Sequence, residues 1–310
     1  MTTIATTSHP ATFSPLKRLI QQHPLVAYFV LTFAGSWLTE LPVLLGKNGI
    51  GLLPYTLPFL PFFLLMPFTG PTLSAFVVTA VTDGRAGVWQ LLRRYVQWRV
   101  GVRWYLLALL GAPVVLLLST SVVLNAAPLS ALVQQWPLIF TSYLPSVLLI
   151  TLVLGGPLGE EPGWRGFALP RLQQQYGALR GSLMLGTLHA LWHLPLFLVV
   201  GAYAPFTLPG FVAFALVVML NAFIFTWVFN NTRGSLLIVM LLHSAFNAGS
   251  NFVEQLVPTA QLSNWLPVIT YGVCVFLIIV FTRGRLGYRS EQAPQLVEIP
   301  GPAETPLAQG

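Results

Sequence analysis

What most restricts this chain is the length and spacing of its apolar runs. Residues 25–45, 57–81, 105–124, 140–158, 182–200, 211–229, 235–252 and 266–281 are almost free of charge, and polar or basic segments separate them. At ~1.5 Å per residue, runs of this length cross ~30 Å of hydrocarbon as helices, the last of them only just. Inside lipid a backbone must satisfy its own N–H and C=O groups, which helices of this length do. The fold class that follows is all-α, a polytopic transmembrane helical bundle of about eight spans. Only 7% of the 310 residues are charged and 55% are hydrophobic, against ~25% charged in an ordinary soluble globule, so a water-soluble enzyme is excluded.

Charge placement sets the orientation. With the N-terminus in the cytoplasm, eight spans put fourteen of the fifteen Lys and Arg residues on the cytoplasmic side and only Lys47 outside, as the positive-inside rule requires. Both termini are therefore expected in the cytoplasm, and the location is a cell membrane. The net charge of +7 then reflects lipid topology rather than a nucleic-acid partner, for which the chain has no solvated basic domain. Residues 83–103 carry five Arg among Trp89, Tyr95 and Trp98 and read as a short basic helix on an anionic lipid surface. The stretch after Arg165, with Arg171, three consecutive Gln and Arg180, reads as a connector. Residues 1–20 and 291–310 read as disordered tails around one bundle, 21–290. Glu40, near the far end of the first run, is expected to reach the interface, and the second run, with Gly70-Pro71 inside it, to be kinked. A single cysteine, Cys274, excludes both an internal disulfide and a cysteine zinc cluster.

Against this background a few polar side chains stand out. Glu160 and Glu161 form the only adjacent acidic pair in the chain. A carboxylate in a membrane costs ~2.5–3.5 kcal/mol on insertion scales, so the pair needs a partner or a function. Arg165, at i+4 from Glu161, supplies a partner to one of the two and leaves Glu160. His189 and His193 share a helix face at i,i+4 on the fifth run, with Pro195 loosening the helix beside them; His243 and Asn247 repeat the spacing on the seventh. Each alone reads equally well as a buried interhelical contact. Together they fall in one depth band, His193 about 17 Å and His243 about 12 Å along their helices from the cytoplasmic end. A carboxylate, imidazoles and an amide converging in a membrane cavity are the groups that water activation and oxyanion stabilisation need.

Glu160-Glu161-x-x-x-Arg165, His193 in Leu191-Trp192-His193-Leu194-Pro195, and His243-x-x-x-Asn247, in that order on successive spans, resemble the CAAX prenyl protease and bacteriocin-processing family of intramembrane proteases. The likeness covers residues 146–252. It implies a peptidase in which Glu160 is the general base that activates water with His193 beside it, His243 and Asn247 stabilise the oxyanion, and Arg165 holds Glu161 in the site. It leaves open both a divalent metal such as zinc, held by Glu160, His193 and His243, and a metal-free glutamate mechanism; no His-Glu-x-x-His helix argues for the metal independently. Where the family's second motif usually has Phe, this chain has His189, a supporting residue expected one helical turn, about 5–6 Å, from the others. Glu160, His193, His243 and Asn247 are expected to converge within about 10 Å, which one substrate carbonyl and its water can bridge. The expected partners are membrane lipids and a peptide or membrane-protein substrate. A non-catalytic scaffold or immunity protein, and a proton-coupled transporter, are the alternatives from other classes.

Overall fold

The computed structural model describes residues 15–152, 154, 156–202, 206–257 and 263–289. The expected C-terminal tail, and residues 1–14 of the expected N-terminal one, lie outside them. The rest of that N-terminal tail is ordered, because Pro15–Gln22 forms helix α1.

The described residues contain helices and no strand. After α1 come α2 (Pro24–Leu45), α3 (Phe59–Pro67), α4 (Leu73–Thr82), α5 (Gly84–Tyr95), α6 (Val102–Val123) and α7 (Ala127–Gln134). α8 (Leu144–Leu152), α9 (Gly156–Glu161), α10 (Leu169–Trp192), α11 (Leu208–Asn231), α12 (Leu236–Leu256) and α13 (Leu266–Phe281) complete the chain. Among the described residues six stretches are long and apolar enough to cross a membrane, and α13, with 16 residues, is a shorter apolar helix. One of the six, Ile139–Leu198, takes in described residues of the fourth apolar run and all but the last two residues of the fifth.

Two π-turns position the site. Pro67 and Pro71 remove backbone donors from the second run, which stays helical by widening into a π-turn at Phe68–Thr72. α2 packs directly on it: Ser36 Oγ donates to the Met66 carbonyl at 2.8 Å. The second π-turn, Pro162–Ala168, follows α9 and is pressed against the first. A Cβ on Gly163 would lie 2.4 Å from the Tyr28 hydroxyl and 2.6 Å from Pro71, so only glycine permits this approach. Thr72 Oγ1 closes the contact by donating to the Gly159 carbonyl at 2.5 Å.

Three expectations are corrected. Glu40 is 1% exposed and does not reach an interface. The connector expected after Arg165 is part of a long helix: residues 169–192 are helical with one break at Gly177, whose φ of 79° and ψ of 168° turn the chain. Its polar residues are tied to neighbours, Arg171 to Asp83 at 2.5 Å and Gln173 to Asn230 by two amide hydrogen bonds. The basic segment 83–103 is helical from Gly84 to Tyr95 and again from Val102, where α6 begins, and half of α5 is turned away from the surroundings. Arg94 donates to the Gly166 carbonyl at 3.1 Å and lies over the Phe229 ring, while Trp89 and Trp98 remain exposed. Burial, with Arg171 nearby, pushes the Arg94 guanidinium down to about 10, so it stays charged at neutral pH.

Candidate active site

The acidic pair ends α9, and the π-turn behind it sends its two carboxylates to different partners. Glu161, fully buried, accepts on Oε1 from Arg165 Nη1 at 2.9 Å and from His243 Nδ1 at 2.7 Å. Arg165 is itself 1% exposed and stacks over Phe225, its guanidinium carbon 4.6 Å from the ring centre. Glu161 therefore fixes the orientation of His243 across 82 residues of chain. Glu160 takes the other direction, with Oε2 2.8 Å from His189 Nε2.

The two histidines of α10 end up adjacent because that helix stops where the proline requires. His193 is its C-terminal cap, and Leu194–Leu198 continues as a 3₁₀ turn holding Pro195. His193 Nδ1 lies 2.8 Å from the His189 carbonyl. A carbonyl only accepts, so Nδ1 carries a hydrogen, and in the neutral ring the lone pair is then on Nε2. Aromatic rings fix the imidazoles: Trp164 lies 4.7 Å from His189 and Trp192 4.7 Å from His193, centroid to centroid. Trp37 on α2 in turn anchors this end of α10 through its Nε1, which donates to the Trp192 carbonyl.

The His193 and His243 ring centres stand 5.0 and 6.5 Å from that of His189. His189, expected a turn away, is thus at the centre of the group and is the direct partner of Glu160. A cavity of about 640 Å³ opens on this cluster, lined by Glu160, His189, His193, His243 and Asn247 and walled by aromatic side chains such as Phe63 and Phe214. Asn247 sits one turn beyond His243 on α12 and is exposed into that space; Glu161 is behind the wall. The Glu161–His243 bond is the feature that sequence spacing gave no sign of, since its partners lie on separate helices.

A carboxylate and two imidazoles are a donor set that divalent transition metals accept. Ligand atoms of Glu160, His189 and His193 lie within 4.8 Å of one another, all three residues are buried, and His189 Nδ1 is a buried nitrogen without a hydrogen-bond partner among the described residues. Of the three metal ligands expected from the resemblance, Glu160 and His193 belong to this cluster, while His243 is turned to Glu161 by its Nδ1.

Residues 141–249 match the family model described as type II CAAX prenyl endopeptidase Rce1-like, a stretch that includes every residue of the cluster. Over 144 residues the chain is 28% identical to CAAX prenyl protease 2 of Methanococcus maripaludis, an alignment covering 44% of this chain and 51% of that protein. The chain thus spans about half the length of the curated relative it matches. The resemblance drawn from the three motifs is borne out over the segment that carries them.

Proposed function

We propose that the chain is an intramembrane endopeptidase of the CAAX-protease type, acting in a cell membrane on a peptide or membrane-protein substrate. The observation that carries this reading is the pairing of Glu160 with His189 at 2.8 Å on a cavity that His193, His243 and Asn247 also line. Glu160 takes a proton from water as the water oxygen attacks the scissile carbonyl carbon. The carbonyl electron pair moves onto oxygen, and the same proton passes to the leaving nitrogen as the C–N bond breaks. His193, whose Nε2 bears a lone pair, orients the water. His243 donates from Nε2 to the developing oxyanion together with the Asn247 amide. That role has both ring nitrogens of His243 donating, Nδ1 to Glu161 and Nε2 to the oxyanion.

A divalent metal such as zinc fits the donor set; Glu160, His189 and His193 would hold it, and it would supply Lewis-acid polarisation of the substrate carbonyl. Metal analysis of the purified protein, with peptidase activity measured before and after chelation, distinguishes the two routes: activity that survives complete metal removal assigns the reaction to Glu160 alone.

The reading is tested with Glu160→Gln, which keeps size and most hydrogen bonding but removes the base. Peptidase activity is expected to fall by several powers of ten with unchanged membrane insertion, and Asn247→Ala to be milder, roughly 10²- to 10³-fold. A scaffold or immunity protein would retain its biological effect with Glu160→Gln. Complementation of a deletion strain by both variants at matched abundance would therefore refute the hydrolase reading.

A further inference from the structure

The joint between α5 and α6 carries positive charge that no described acid balances. Arg99 and Arg103 are exposed there, and the loop between α11 and α12 adds a third exposed cation, Arg233, whose Nη2 donates to the Arg99 carbonyl. Arg94 is close by, its Nε 3.8 Å from the Cβ position of Gly234. Arg99, Arg103 and Arg233 have no carboxylate partner among the described residues. Of the acids in those residues, Glu40, Glu160 and Glu161 are buried, Asp83 is held by Arg171, and Glu254 stands near the far end of α12. Guanidiniums gathered in this way repel one another, and an anion shared between them removes the repulsion.

The backbone holds these cations in place. Arg233 has a φ of 57°, in the left-handed region, which a residue with a Cβ adopts when its surroundings impose it. Here they do: Gln97 Nε2 donates to the carbonyls of Thr232 and Arg233, and Ser235 Oγ donates to the Gln97 carbonyl while accepting from the Ile238 N–H. The same bonds tie the cation-bearing segments to the first turn of α12, the helix that carries His243 and Asn247.

Beside the cations the surface turns apolar. Val102, Leu106 and Leu110, at four-residue spacing along α6, are all exposed. Trp98 is exposed with the Arg99 guanidinium carbon 5.2 Å from its ring centre, and Arg103 covers Trp104 at 5.4 Å. Guanidiniums at the head of an outward apolar stripe, with an indole at the boundary, match both halves of a phospholipid, its phosphate and its acyl chains. A free phosphate uses the first half alone.

We propose that Arg99, Arg103 and Arg233 hold the phosphate of an anionic phospholipid whose acyl chains lie along Val102, Leu106 and Leu110, and that the bound lipid braces the start of α12. Guanidinium–phosphate hydrogen bonds draw the 96–103 and 232–235 segments together where their like charges otherwise push them apart. A zwitterionic headgroup brings its own ammonium and offsets that gain. The proposal stands whether or not the chain is a peptidase.

The test uses the full-length protein in nanodiscs of phosphatidylcholine alone or mixed with phosphatidylglycerol. Two quantities are read, the unfolding midpoint and amide hydrogen exchange over residues 232–240. Phosphatidylglycerol is expected to raise the midpoint and to slow exchange at the start of α12 by roughly tenfold. Arg99→Gln/Arg103→Gln takes away side chains that stack on indoles, and it is expected to lose most of both effects while matching the parent in phosphatidylcholine. Arg233→Gln should act in the same direction. Arg283→Gln/Arg285→Gln, which removes two exposed cations after α13, is the control and should keep both effects. An equal response of the parent to the two lipids, or an undiminished response in Arg99→Gln/Arg103→Gln or in Arg233→Gln, overturns the proposal. Equal loss in the control overturns it as well, because diffuse surface charge would then explain the result. So does reproduction of both effects by inorganic phosphate added to phosphatidylcholine discs, since the occupant would be a free anion.

Discussion

Glu40 and Glu161 are both carboxyls almost fully removed from solvent, yet their surroundings are opposite. Glu161 has Arg165 and His243 on one oxygen, while neither oxygen of Glu40 has a hydrogen-bond partner among the described residues. Removing one member of a buried ion pair leaves an uncompensated charge and costs about 3–5 kcal/mol, whereas replacing an unmatched buried acid with an apolar group of similar size is neutral or stabilising. Arg165→Ala is therefore expected to lower the thermal midpoint and the yield of folded protein sharply, and Glu40→Leu to leave both unchanged or improve them. Melting curves of the two variants in one detergent decide this; loss of stability in Glu40→Leu comparable to that in Arg165→Ala would mean that Glu40 has a structural partner after all. The difference between the two acids was only half legible in the sequence. Arg165 stands at helical spacing from Glu161, and that pair was expected, but the bond to His243 crosses between helices and leaves no local pattern. The burial of Glu40 is hidden for the same reason, because a residue near the end of an apolar run can turn to lipid headgroups or inward with equal spacing.

At the scale of elements, the apolar runs specified the helices closely, since span length is a physical requirement of the bilayer. They did not reveal the two π-turns or the helical nature of residues 169–176, because run length says nothing about which hydrogen-bond ring a helix uses, and Arg171 and Gln173 look like loop residues until Asp83 and Asn230 are seen opposite them. The π-turn at Pro162–Ala168 aims Glu160 and Glu161 in different directions, and its seating depends on Gly163. Gly163→Ala would force a methyl group to within 2.6 Å of Pro71, a rigid neighbour, and is expected to destabilise by about 1–3 kcal/mol. Gly272→Ala is the control: nothing lies within 4 Å of its Cβ position in α13, and a gain of about 0.5–1 kcal/mol is expected from helix propensity. The check is the shift in thermal midpoint of each variant together with peptidase activity at a temperature where both are folded. Gly163→Ala should lose activity even there, because the displaced turn directly follows the end of α9 that holds Glu160, the proposed base; full activity in the folded variant would show that the close approach is not what positions Glu160.

For the whole molecule, the arrangement of basic residues and the packing of α5 bear on the same question of sidedness. Arg94 reaches the Gly166 carbonyl behind the acidic pair, Gln97 donates to the carbonyls of Thr232 and Arg233, and Ser235, which caps α12 by accepting from the Ile238 N–H, donates to the Gln97 carbonyl. The start of α12, the π-turn of the acidic pair and the segment 94–97 therefore lie at one end of the bundle, whichever way the protein is inserted. The exposed Trp89 and Trp98 on the outer side of this end, the latter with Arg99 over its ring, are side chains suited to a headgroup layer. If the fourteen-to-one charge asymmetry orients the bundle, this end is cytoplasmic and the Lys47 turn is not. Cysteine variants Arg93→Cys and Lys47→Cys, made in a Cys274→Ser background because that is the chain's one thiol, should react oppositely with a membrane-impermeant maleimide applied to intact cells: Lys47→Cys labelled at once, Arg93→Cys only after lysis. Labelling of Arg93→Cys in intact cells would invert the bundle. Because α5 is tied to the turn that follows Glu160, it would also place Glu160, the proposed base, at the opposite membrane face and move the search for substrates out of the cytoplasm.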